Sequence, residues 1–241
     1  MKRLFSVFYM FAISCVAADT ASAGPIISTP TGLNPGDHFR IAFVTTDKTT
    51  PLSSNITTYD SFVTSEAGGA TYNGQLISWQ AIASTSAVNA IDHIGVTNDR
   101  VYLVDGTLVS QTDSTSGLWS GSLAHSISED INSNVSPGLV WTGTISSGHG
   151  AGGQELGSGN DFNGIWAGAS SLSNAGWISF VTTDPLNSHL IYGISSELTV
   201  PGGGGGGPAP VPEPSTAMLA VLGGVGLAIA ACRKRRIRAG A

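Results

Sequence analysis

Six consecutive glycines, Gly202 to Gly207, divide this chain into parts that cannot share one core. Pro201 precedes them, and Pro208-Ala-Pro-Val-Pro-Glu-Pro214 follows. Glycine is the residue that costs most to order, and proline has no amide to give a strand ladder, so 202–210 reads as a linker. Whatever folds as a globule must lie before it. Beyond it, Ser215 to Cys232 runs for eighteen residues without a charge and ends on Arg233-Lys-Arg-Arg236 and Arg238. As a helix that run spans roughly 27 Å, close to the thickness of a hydrocarbon core. Basic residues stay on the cytoplasmic side of a membrane, which places the body outside.

The other end carries a leader. Lys2 and Arg3 precede the apolar run Leu4 to Ala18, and Ala21-Ser22-Ala23 has the small-x-small pattern of a cleavage site before Gly24. The alternative is an uncleaved anchor. The organisation expected is a signal peptide at 1–23, a secreted domain at 24–201, the linker at 202–210 and a C-terminal signal at 211–238. That signal divides into a motif at 211–214, a membrane helix at 215–232 and a basic stop at 233–238.

The tail resembles the PEP-CTERM sorting signal of Gram-negative bacteria. The resemblance rests on Val211-Pro-Glu-Pro214, the apolar segment and the arginine-rich end, in that order. It implies that Pro212, Glu213 and Pro214, with Arg233, Lys234, Arg235 and Arg236, form a tag rather than a catalytic group. A signal peptidase and an exosortase would be the partners during export, and the exosortase would cut near the Pro-Glu-Pro. The membrane would hold the chain through its C-terminal helix until then. The destination implied is the outer surface or an extracellular polymer matrix, as in a biofilm. A plain tail anchor in the inner membrane is the alternative.

Charge narrows the partners. Between 24 and 207 the cations are Arg40, Lys48 and Arg100, against fourteen carboxylates, a net −11. Such a body repels phosphate, which disfavours nucleic acid and anionic lipid as partners. Cys15 and Cys232 both fall in the terminal segments. The body therefore has no disulfide and no thiolate ligand, and its stability must come from packing.

Within the body, His38 to Thr45 reads as a strand. Ser53 or Ser54 is expected to cap a helix running to about Ala67, with Ile56, Tyr59, Phe62 and Val63 on one face and Gly68-Gly69 at its end. Ile77 to Ala83 reads as extended and Ala87 to Ile94 as a short helix. Val101 to Val104 and Thr107 to Val109 form a hairpin, with Asp105-Gly106 in a type I′ turn. Leu139 to Ile145, Gly176 to Thr182 and Leu190 to Val200 read as strands, the last with a break at Ser195-Ser196. Residues 146–173 read as a long loop. This order predicts an α+β fold with mainly antiparallel pairing and one or two short helices.

The body also resembles endostatin, a C-type-lectin-like domain. The resemblance runs through His38-Phe-Arg-Ile-Ala-Phe-Val44, Pro51-Leu-Ser-Ser54, Trp79-Gln-Ala-Ile82 and Val101 to Val109. It continues through Leu118-Trp-Ser-Gly121, Val140-Trp-Thr-Gly143, Ala169-Ser-Ser-Leu172 and Leu190-Ile-Tyr-Gly-Ile194. It implies a C-type-lectin-like fold. Endostatin's disulfides, basic surface and N-terminal histidine cluster have no counterparts, so neither heparin nor zinc binding is implied.

Candidate ligand contacts lie in the 146–173 segment. Glu155, Asn160, Asp161 and Asn163 offer hard oxygen ligands, as calcium requires. The Glu-Pro-Asn and Gln-Pro-Asp tripeptides of sugar-binding C-type lectins are absent, and a solvated turn is the reading preferred; no cofactor is expected. Trp166, in the same segment, could stack on a sugar ring, whereas Trp79, Trp119 and Trp141 read as core. Gly148, Gly150 and Gly153 match a dinucleotide fingerprint, but no helix follows to receive a phosphate. The five histidines lack metal-binding spacing, and no nucleophile elbow accompanies the serines. Asn55-Ile-Thr57 and Asn134-Val-Ser136 match the glycosylation sequon by chance. The expectation is a non-catalytic adhesion or polysaccharide-binding protein, or one meeting another cell-surface partner. A structural matrix component without a ligand and a secreted hydrolase are the alternatives.

Overall fold

A computed structural model describes residues 24–95, 99–111, 117–159 and 164–202. The leader and the sorting tail lie outside the described residues, and so do the helices expected of them. Among the described residues no helix is long and apolar enough to cross a membrane.

The strands in chain order are β1 (Ile26–Ile27), β2 (His38–Val44), β3 (Thr71–Tyr72), β4 (Gln75–Leu76), β5 (Trp79–Ala81), β6 (Arg100–Tyr102), β7 (Leu108–Ser110), β8 (Leu139–Trp141), β9 (Ile165–Ala169), β10 (Val181–Thr183) and β11 (Leu190–Ser195). Two helices, α1 (Ile56–Glu66) and α2 (Ala90–Ile94), accompany them. A further short strand covers Leu198–Thr199. The body is thus mostly sheet with few helices, as the α+β reading expects.

The main sheet runs β10-β9-β8-β11-β2-β6-β7. At its centre β11 pairs antiparallel with β2, Tyr192 opposite Val44 and Ile194 opposite Ala42. Its other edge is shared: Leu190 and Ile191 pair with β8, and Gly193 to Ser195 pair with β5. The β8–β11 and β2–β6 pairs are parallel, and the β10–β9, β9–β8, β11–β2, β11–β5 and β6–β7 pairs are antiparallel. A small separate sheet joins β1, β3 and β4.

Strand β2 is apolar at nearly every position because both its faces are covered. Ala42 and Val44 enter a core with Ile82, Val101, Leu103, Val109, Val140, Trp177, Tyr192 and Ile194. On the opposite face Phe39 meets Tyr72 and Tyr102 edge-on, with ring centres 5.3 and 6.3 Å apart. Phe43 meets Trp79 in the same way at 5.0 Å. Helix α1 packs on β5 and β11 and buries Tyr59 and Val63. Gly193 is required where these layers close, since a Cβ there would lie 2.4 Å from the Phe43 ring.

Several expectations need correction. The cap of α1 is Asn55, not Ser53 or Ser54; its Oδ1 accepts from the Thr57 amide at 3.1 Å. The 103–106 turn is not type I′, because only Gly106 has positive φ, at +90°. Its amide donates to the Leu103 carbonyl, and the Leu103 amide donates to Thr107, as in a type I turn closed by a left-handed glycine. Gly176 to Thr182 is not one strand. Asn174 caps a 3-10 turn at Ala175–Trp177, and pairing resumes only at β10. Leu139 to Ile145 forms a strand only as far as Trp141. The segment 146–173 is not all loop, because it contains β9, which pairs with β8 on one side and β10 on the other.

The described residues divide into two units, one of 24–33 with 38–198 and a second of 34–37 with 199–202. In the second, the Gly36 amide donates to the Val200 carbonyl and the Val200 amide donates to Asp37, each at 2.9 Å. The Asn34 amide donates to Asp37 Oδ2 at 2.8 Å.

Candidate functional site

Glu155 and Trp166 are the two candidate contacts within the described residues; Asn160, Asp161 and Asn163 lie outside them. Glu155 is nearly buried, 8% exposed. Its turn folds back so that the Gly152 amide donates to Oε1 at 2.6 Å and the Gly153 amide donates to Oε2 at 2.7 Å. Of the supposed dinucleotide fingerprint, Gly153 thus gives its amide to a carboxylate of its own chain. Gly150 belongs to the same turn, its amide donating to Asn89 Oδ1 at 2.9 Å.

Trp166 stands in β9 rather than in a loop, opposite Thr182 of β10. Its indole N–H donates to Gln154 Oε1 at 3.0 Å, and its side chain is half-buried. The other tryptophans are packing residues. Trp141 is fully buried, donates to the Thr49 carbonyl at 3.0 Å and lies 4.5 Å from the His189 ring. Trp79 and Trp177 are buried as well. Trp119, expected in the core, is only partly buried and tilts against Trp177 at 6.1 Å.

The histidines find partners within the fold. His93 Nε2 lies 2.8 Å from Asp60 Oδ1, which also accepts the Ala81 amide at 2.8 Å, so one carboxylate joins α1, α2 and β5. His38 meets Glu197 at 2.7 Å on the surface. Ser147 Oγ lies 3.2 Å from His149 Nδ1, which is also 3.2 Å from the Ser147 carbonyl. A carbonyl can only accept, so a protonated Nδ1 donates to it, whereas an unprotonated Nδ1 accepts from the serine hydroxyl; the tautomer decides between the two contacts. Both residues are exposed on one turn.

Among the described residues, a carboxylate cluster forms where Glu129 and Asp130 meet Asp105 of the β6–β7 turn. Burial first, and then the Asp105 carboxylate beside it, push the Glu129 carboxyl above its usual value; Asp130 adds to the effect. Asp105 is itself held by the Thr107 amide and hydroxyl, at 2.7 and 3.0 Å. Asp130 Oδ1 accepts the Asn132 and Asn134 amides at 2.8 and 2.9 Å. Among the described residues no group of three or more such side chains is placed to hold a metal ion.

Both sequon asparagines have structural duties. Asn55 is the α1 cap, and Asn134 Nδ2 donates to Asp130 Oδ2 at 3.1 Å.

Comparison with protein families finds one match. Residues 210–236 fit the PEP-CTERM protein-sorting motif. The matched stretch contains Pro212, Glu213, Pro214 and the basic residues Arg233 to Arg236. No curated protein matches the chain. The tail is thus the functional element that sequence and comparison identify alike: a sorting motif that marks an exported surface protein processed by an exosortase and held at the membrane beforehand.

Proposed function

We propose that the body, once delivered, works outside the cell as a non-catalytic adhesion or polysaccharide-binding domain of C-type-lectin-like fold. The observation that carries the reading is the sorting motif at 210–236. Support for the fold is topological: the first long strand β2 and the last, β11, pair at the centre of the sheet, and α1 follows β2. The excess of carboxylates suits a neutral or cationic partner rather than a polyanion. Trp166, half-buried on a strand and oriented through Gln154, supplies the aromatic surface for a sugar ring.

The test is retention of the exported body on columns of the host's extracellular polysaccharides, with calcium and with a chelator. Retention that falls several-fold in Trp166→Ala supports the binding reading. Passage through every column without delay contradicts it and leaves the structural-component reading. That second reading has its own observation, since Glu155 and Trp166 both spend polar groups on contacts within the chain.

A further inference from the structure

The residue expected to become the mature N-terminus is packed into the fold. Gly24 lies so close to the end of α1 that a Cβ would fall within 2.2 Å of the Gly68 carbonyl oxygen and 2.6 Å of the Gly69 carbonyl oxygen. The next residues hold it there. The Thr71 amide donates to the Pro25 carbonyl at 3.0 Å, and β1 pairs parallel with β3, Ile26 opposite Thr71 and Ile27 opposite Tyr72. Ile27 is 3% exposed, so this strand is anchored.

Helix α1 has no basic residue in its last turn, and that turn ends on Glu66. The C-terminal end of a helix carries a partial negative charge that a cation stabilises. We propose that removal of the leader supplies that cation: the α-ammonium of Gly24 docks on the Gly68 and Gly69 carbonyls just past the C-terminal end of α1 and stabilises the exported body. The step is hydrolysis of the Ala23–Gly24 peptide bond by a signal peptidase. Water gives its hydroxyl to the Ala23 carbonyl carbon and a proton to the Gly24 nitrogen, and the amine takes a further proton from solvent at neutral pH. The uncut precursor has a neutral amide at this point. The inference rests on the export reading and on cleavage after Ala21-Ser22-Ala23.

The test uses a Lys48→Arg variant, in which the α-amine is the body's one primary amine. The exported protein is purified from the host, its first residue is read by mass spectrometry, and its unfolding is compared in three forms: free, Nα-acetylated and Nα-dimethylated. Acetylation removes the charge, whereas dimethylation keeps it and adds similar bulk. The expected result is a two- to fivefold rise in the unfolding equilibrium constant on acetylation, roughly the effect of one helix-terminal charge, and little change on dimethylation. Equal stability of all three forms, or equal loss in both modified forms, overturns the inference while leaving export intact. A first residue other than Gly24 overturns the cleavage reading and this inference with it.

Discussion

Gly193 stands where β11 crosses the Phe43 ring, and the space there fits hydrogen alone. Gly193→Ala is expected to destabilise the body by about 1–3 kcal/mol through overpacking, read as a lower denaturant midpoint. An unchanged midpoint would mean that Phe43 can move aside. A second residue-level prediction concerns acid. Burial first, and then the Lys48 charge, hold the His189 imidazole below its usual 6.5. A group depressed in the folded state contributes stability above its unfolded value and loses it as pH falls through the folded one. The thermal midpoint should therefore drop as pH falls below about 6.5, and it should drop less in His189→Gln; parallel curves for the two proteins would contradict this. Asp60 offers a third case. Asp60→Ala leaves the buried Ala81 amide and the His93 ring without this partner, and about 1–3 kcal/mol of stability should go with it, measured by chemical denaturation.

At the scale of elements, α1 tests how local signals act. Asn55→Ala removes the cap and should cost about 1 kcal/mol, whereas Asn55→Asp, which keeps an acceptor, should cost little. Comparison of the two denaturant midpoints decides the matter. Tyr59 of the same helix accepts from the Ser53 amide at 3.1 Å and donates to the Ser53 carbonyl at 3.0 Å. Burial pushes its hydroxyl up to about 12 against the opposing Ser53 contact. Its contribution to stability is complete below about pH 10 and lost as pH rises through 12.

The elements also show where sequence reasoning succeeds. Strand β2, helix α1 and strand β11 are legible because their apolar patterns are local and bounded by turn residues. Strand β9 is not, because Ile-Trp-Ala-Gly-Ala among glycines and serines becomes a strand only through β8 and β10, which lie far off in sequence or after it. Gly176 to Thr182 misleads in the opposite direction: its apolar content suits a strand, but the Asn174 cap bends it into a 3-10 turn first. Of the candidate contacts, Trp166 was legible as an unusual aromatic, but its hydrogen bond to Gln154 depends on β9 forming. The amides that hold Glu155 come from a local glycine turn, yet residue types alone do not say which way that carboxylate points.

For the whole molecule, the division of labour between body and tail is the legible part. Glycine, proline, an uncharged run and clustered arginines are compositional signals that need no tertiary partner, which is why the sorting signal read at 211–238 and the family match at 210–236 coincide over 211–236. What the body binds depends on surface geometry assembled from distant segments, and composition does not encode that. The most direct measurement is the C-terminal mass and cellular location of the protein in its host, with and without the exosortase. The account predicts a polypeptide cut near Pro212-Glu213-Pro214 and exposed at the surface when the enzyme is present, and an uncut, membrane-retained chain when it is absent. An intact tail in the cytosol of the unmodified host would contradict it.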